Sequence, residues 1–245
     1  GGQADEVVGD AARHPLLRRE LLVRGGRRVD DQALRVADVR QVARAGCNLI
    51  FAPPPEEMYG EGFSTTVSLE GPAKAGLEDR FRPQFFDGVA TVVAKLFIQS
   101  GADYAMFGEK DWQQLAIIRR MATDLDLGVD VVGFPTQRED DGLARSSRNA
   151  YLTVEERAAA VALPRALGSA ARLIENGTSI SEAIETVHAA LTKAGFAPAD
   201  YVELVDAVTL QPIEKIDRPA RILAAARLGK ARLIDNLPVT PAEAG

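Results

Sequence analysis

The sequence predicts an α/β protein in two parts: a parallel sheet with covering helices, then a smaller α+β part. Three observations predict it. Between about Val39 and Asp130, helical and strand-like segments alternate. After about Thr136 the order becomes two helices followed by clustered strand-like runs. The chain has 245 residues, enough for one large domain or two small ones with real cores. A domain boundary is placed near Thr136, giving parts 1–136 and 137–245.

The elements follow in chain order. VRQVARAG, residues 39–46, reads as a helix ended by Gly46. NLIFAPPP, 48–55, reads as a buried strand stopped by prolines, and STTVSL, 64–69, alternates like a strand. FFDGVATVVAKLFIQ, 85–99, has apolar residues at helical spacing. DYAMF, 103–107, is a short strand, DWQQLAIIRRMATDL, 111–125, an amphipathic helix, and VDVVGF, 129–134, another buried strand. Beyond a polar loop, helices are expected over 153–175 and 179–194, the first broken or kinked at Pro164. YVELVD, RILAAARL and ARLIDN complete the chain as strands. Gly9 to Arg35 is rich in arginine and poor in period, apart from a possible helix around LLRRELLV.

Composition narrows the function classes. With 29 basic and 35 acidic residues the net charge is 29 − 35 = −6, against a general nucleic-acid binder, though a local basic pocket is compatible with it. One cysteine, Cys47, allows no internal disulfide and suits a reducing compartment. No apolar run approaches membrane-spanning length, and the N-terminus lacks a signal-peptide layout. A cytoplasmic protein without membrane or nucleic-acid partners is expected. His14 and His188 are isolated, so no protein-held metal site is expected. His188 sits at helical spacing as an ordinary helix residue.

Two stretches carry candidate chemistry. In FGEKDWQQL, Gly108 permits a tight exit from a strand, and Asp111 with Gln114 could form a helix capping box. That accounts for Asp111 and Gln114 without a ligand. It accounts less well for Lys110, because a cation at a helix N-terminus opposes the macrodipole. A bound anion would remove the conflict, at a place where parallel sheets bind ligands. In DGLARSSRN, Arg145, Ser146, Ser147 and Arg148 put two guanidinium groups and two hydroxyls into four residues. That set suits phosphate oxygens, and it equally suits a solvated loop with a serine cap. From residues alone both alternatives stay open.

Taken together, these segments resemble the pantothenate synthetase (pantoate–β-alanine ligase) family. The ordered series is FAPPPEEMYGEGFSTTV, RPQFFDGVATVVAKLF, FGEKDWQQLAIIR, VVGFPTQREDDGLARSSRNAYLTVEER, DYVELVDAVTLQP and RILAAARLGKARLIDN, from roughly Asp38 to Val239. The resemblance implies a Rossmann-like nucleotide-binding domain, a smaller C-terminal lid and a homodimer. It implies that ATP, with Mg²⁺, activates pantoate as pantoyl adenylate, and that β-alanine then displaces AMP. Gly108, Glu109, Lys110 and Asp111 match the family's ATP-contacting segment, and Gln114 its pantoate glutamine. Gln137 matches a backbone contact to the nucleotide. Arg145, Ser146, Ser147 and Arg148 match its mobile phosphate loop, which makes Lys110, Ser146, Ser147 and Arg148 the expected catalytic set.

Departures accompany the match. The family's P-T-M-G-A-L-H-x-G-H motif, which supplies its catalytic histidine, is not in these 245 residues, nor is its F-V-N-P-x-Q-F segment. The Rossmann-like sheet is therefore expected to be N-terminally incomplete. Gln3 to Val8 resembles the family just before that second segment, and the resemblance returns near Asp38. An out-of-frame Gly9 to about Arg35, with the first motif lost to a late start, explains the pattern. Gln84-Phe85 replaces the family's usual Gly-His. Two alternatives accompany the ligase: a catalytically impaired remnant that binds nucleotide or a partner subunit, and a different adenylyl-transferring enzyme on the same fold.

Overall fold

The structure, a computed structural model, describes residues 20–22, 40 and 42–241. The frame hypothesis for Gly9 to Arg35, apart from residues 20–22, lies outside the described residues, as does His14. Two three-stranded sheets organise the rest. The first is parallel, in the order β1 (Glu20–Leu22), β2 (Tyr104–Gly108), β3 (Asp130–Phe134), with β2 central. The second is antiparallel: β4 (Tyr201–Asp206), β5 (Ala220–Leu228) and β6 (Ala231–Val239).

The helices between them are α1 (Pro55–Met58), α2 (Glu78–Phe81), α3 (Phe85–Ser100), α4 (Trp112–Asp124), α5 (Val154–Ala159), α6 (Ala162–Glu175) and α7 (Ile180–Lys193). The apolar faces of α3 and α4 meet β2. Ala90, Val93, Ala94 and Phe97 pack with Ala105, Phe107, Leu115, Ile118 and Met121. Helix α3 stops at Gly101, which takes φ +55° and donates its N–H to Phe97 O, a left-handed C-cap. The larger core lies below the second sheet, where Leu163, Leu167 and Ala170 of α6 and Val187 and Leu191 of α7 pack on Ile222, Ala224 and Leu233. A smaller cluster joins the sheets: Leu77, Tyr201, Val205 and Leu223, with Trp112 packed against it.

Four expectations need correction. Glu20–Leu22, inside the possible LLRRELLV helix, is a strand paired in parallel with β2. Weak helical period there gives way to ladder hydrogen bonds. NLIFAPPP forms no strand. Leu49, Ile50 and Phe51 are exposed, no described strand pairs with them, and the prolines that follow remove donors. STTVSL is irregular as well, with Val67 N–H donating to Thr91 Oγ1 of α3 instead of a neighbouring strand. The 153–175 helix breaks at Ala160–Val161. Pro164 then sits in the first turn of α6, where the missing N–H costs nothing. The expected helix over 39–46 does end at Gly46, with φ +83° and Cys47 N–H donating to Val42 O.

Candidate functional site

Strand β2 ends at Gly108, and residues Glu109–Asp111 make one 3₁₀ turn before α4 starts at Trp112. This is the carboxyl edge of the parallel sheet. The capping box does not form, because neither Gly108 nor Asp111 has a side-chain cap hydrogen bond. The turn is held from outside. Asn236 of β6, 2% exposed, donates Nδ2–H to Glu109 O and to Lys110 O, both at 2.9 Å. Arg221 of β5 donates to Glu109 Oε2 at 2.7 Å, and its guanidinium stacks 3.4 Å from the centre of the Trp112 ring. Burial lowers the Arg221 pKa, and the bond to Glu109 opposes that. The second sheet thus grips the end of the first.

The Lys110 side chain is mostly buried, with Nζ 3.9 Å from Asp111 Oδ2. It enters a cleft shared with Asp111, Gln114, Arg148, Glu78 and Asn236. Arg148 reaches the cleft because the segment before it is tied down. Arg138 and Ala144 pair across a tight hairpin, and Leu143 is buried in the larger core. Arg138 holds Asp235 with two bonds, at 2.7 and 2.9 Å. Arg157 holds Asp141 at 2.7 Å, which lowers the Asp141 pKa. The polar loop is therefore an anchored hairpin over residues 138–144. Ser146 Oγ accepts from Arg148 N–H at 3.2 Å, and Arg148 Nη1 donates to Arg232 O at 3.2 Å.

Of the predicted residues, the cleft brings together Lys110, Asp111, Gln114 and Arg148. Ser146 borders a second small cavity with Lys110, Asn149, Arg232 and Asp235. Two buried atoms of these lining residues, Asn149 Oδ1 and Arg232 Nη2, have no hydrogen-bond partner among the described residues. The others stand apart from the cleft lining. Gly108 shapes the turn and Glu109 pairs with Arg221. Gln137 donates its side chain to Pro135 O, and its carbonyl accepts from Arg145 N–H. Arg145 faces Glu139 at 3.5 Å, and Ser147 begins a short 3₁₀ turn.

The sequence reading missed the groups that frame the cleft. Glu78 accepts from Tyr201 Oη and from Arg232 Nη1, both at 2.8 Å, and Arg232 Nε also donates to Asp200 at 2.6 Å. Burial, reinforced by Glu78, pushes the Tyr201 pKa well up. Burial would lower the Arg232 pKa, but its carboxylate partners raise it overall. Gln113, not Gln114, is structural, since it bonds Glu78 N–H, Pro72 O and Asp79. One signal was present: Arg221 and Arg232 lie in strands made mostly of apolar residues. Among the described residues no group of three His, Cys, Asp or Glu side chains could hold a metal, and no helix is long and apolar enough to cross a membrane.

A parallel sheet ending in a lysine-bearing turn, faced by a second sheet that supplies arginines, defines an α/β protein with an anion-suited cleft at its strand ends. Comparison makes the class specific. The sequence model of the family "Pantoate-beta-alanine ligase" matches residues 34–238. A pantothenate synthetase of Rhizorhabdus wittichii is 54% identical over 206 residues, spanning 84% of this chain and 73% of that one. One of Caulobacter vibrioides is 56% identical over 206 residues, spanning 83% and 72%. A crystal structure of the pantothenate synthetase of Thermus thermophilus superposes with a TM-score of 0.82 at 44% identity, over 91% of this chain and 83% of that one. The Francisella tularensis ligase, crystallised with β,γ-ATP and β-alanine, gives 0.67 at 27% identity, over 84% and 70%. The chain belongs to the pantoate–β-alanine ligase family, and its class is that of ATP-dependent ligases.

Proposed function

We propose that the chain joins pantoate to β-alanine at the expense of ATP, by way of pantoyl adenylate. The pantoate carboxylate attacks the α-phosphorus and pyrophosphate leaves. The β-alanine amine then attacks the acyl carbon, AMP leaves, and the amine gives up its proton. The observation that carries this reading is the convergence of Lys110, Asp111, Gln114 and Arg148 on one cleft in a chain of this family.

In this reading Lys110 offsets the phosphate charge that develops as pyrophosphate departs. Arg148, Ser146 and Ser147 supply further donors, with Arg145 at the rim. The unpartnered Nη2 of Arg232, a residue that lines the small cavity together with Ser146, supports anion binding here. Gln114 holds pantoate. Asp111 faces the adenosine side, Gly108 and Glu109 shape the turn, and the Gln137 backbone contacts the nucleotide. Mg²⁺ bound with the phosphates would supply charge neutralisation. The nucleotide phosphates would hold it, since Glu78 and Asp235, carboxylates of the cleft lining, are committed to arginines. Residues 137–245 form the second domain and shield the acyl adenylate from water. A homodimer in the cytoplasm is part of the proposal, and light scattering on the purified chain tests the dimer.

Turnover by this 245-residue chain is a separate matter. Without the histidine motif it is expected at least about 100-fold below the Caulobacter vibrioides relative, the low end of what a positioned acid–base group contributes. The test pairs a pantothenate assay with isothermal titration of ATP. Lys110→Gln is expected to weaken ATP binding about tenfold, the size of one charge-assisted contact. Unchanged affinity in Lys110→Gln sinks the site assignment. ATP binding without any product leaves the nucleotide-binding remnant.

A further inference from the structure

We infer that Asn236, in the second sheet, is a positioning residue that aims Lys110, an inference that rests on the proposed ATP site. The geometry is unusual in one respect. Asn236 Nδ2 donates to two consecutive carbonyls, Glu109 O and Lys110 O, both at 2.9 Å. These belong to the two peptide planes that flank the Lys110 Cα. Because each peptide is planar, the angles between those planes are the φ and ψ of Lys110. One amide therefore ties together the two peptides on either side of the residue and restrains both of its soft dihedrals. It sets the direction in which the Lys110 side chain leaves the backbone.

Within the turn, only its own backbone hydrogen bonds hold Lys110. Glu109–Asp111 is a single 3₁₀ turn with no side-chain cap at either end and no fully buried residue. Asn236 is itself held rigidly. Its Oδ1 accepts from Arg221 Nη1, and its backbone N–H donates to Asp235 Oδ1 at 2.8 Å. Asp235 is locked in turn by Arg138. The partners also dictate the amide orientation: a guanidinium can only donate, and two carbonyls can only accept. An aspartate at 236 keeps the bond to Arg221 and sets a carboxylate against both carbonyls. The shape is unchanged and the grip on the turn is lost.

A double-mutant cycle read by isothermal titration of ATP to the full 245-residue chain tests this, using Asn236→Asp, Asn236→Ala, Lys110→Gln and the two doubles. Thermal melts and near-ultraviolet dichroism confirm that each chain is folded. If Asn236→Ala fails to fold, the Asp isostere carries the test. The expectation is about a tenfold loss of ATP affinity from either Asn236 variant when Lys110 is present. In the Lys110→Gln background the further loss is expected to stay below about twofold, the signature of a residue acting through another. Equal losses in both backgrounds overturn the positioning role and make Asn236 merely structural. Full affinity in Asn236→Asp overturns it too. If Lys110→Gln alone changes nothing, the site proposal has failed, and this inference falls with it.

Discussion

Among the described residues the two sheets have three strands each and differ in how fully those strands are buried. In the second sheet, eight of the nine residues of β5 are buried, and a core of α6 and α7 residues covers one face. In the first, no residue of β3 is fully buried, and Val132 and Phe134 are 37% and 47% exposed. Parallel strands ordinarily have both faces covered. The exposed Leu49–Phe51 run lies in the same half of the chain. The comparison teaches that the second part buries its sheet more fully, while the first has a smaller core and is tied to the second by polar contacts. The contacts between them are specific: Arg221 to Glu109, Asn236 to the 109–110 carbonyls, Trp112 Nε1–H to Ala207 O, and Arg232 to Glu78.

The largest expected effect comes from cutting that dependence. Arg232 bridges Asp200 in the second part and Glu78 in the first, and its side chain is 12% exposed. Arg232→Ala leaves Glu78 short of its cation in a buried setting, and the expected loss is about 4 kcal/mol, as for other broken buried pairs. Trp112 is the one tryptophan in the sequence and sits at the contact, so its fluorescence reports on the first part. Urea unfolding of this variant is expected to show fluorescence changing before far-ultraviolet dichroism. Coincident transitions would mean that the two sheets unfold as one unit and that the contrast drawn above is not energetic.

A smaller effect compares two apolar residues that look alike in the sequence. Ile222 is fully buried in the second sheet, and Leu49 is 65% exposed. Ile222→Ala is expected to cost about 3 kcal/mol. Leu49→Ala is expected to cost less than about 0.5 kcal/mol, as at an ordinary surface position. Comparable losses from the two would show that Leu49 is covered in solution.

These residues also show how much was legible in advance. Ile222 lies in RILAAARL, whose pattern gave a strand that its own neighbours complete. Helices α3, α4 and α7 were equally plain, because an amphipathic period is local information. NLIFAPPP has the composition of a buried strand, but burial depends on what lies beside it, which composition does not record. At the site, Lys110 stood out because a cation at a helix start conflicts with the dipole. Arg148 stood out through its neighbours. Asn236, Glu78 and Tyr201 carried no such signal. Each is an ordinary residue whose importance comes from a partner more than a hundred positions away.

The smallest effect concerns the hairpin that brings Arg148 to the cleft, and its sign follows from one carboxyl. Asp141 has its pKa lowered from an ordinary 3.8, chiefly by the hydrogen bond from Arg157 and then by that from Leu143 N–H. A depressed folded-state pKa means that the unfolded chain binds the proton more readily. The stabilisation is therefore present above about pH 4 and is lost as pH falls through the lowered value. Both side chains are about one-third exposed, so solvent screening keeps the contribution small. Asp141→Asn is expected to lower the melting temperature slightly at pH 7, by an amount that shrinks as pH falls below about 4. In acid titrations, the parent should lose protection of the 138–144 backbone amides first, measured by hydrogen exchange, while the β5–β6 amides stay protected. Simultaneous loss in both places would show that the hairpin is no looser than the sheet it rests on, and that Arg148 is held by the core of the second part rather than by its own loop.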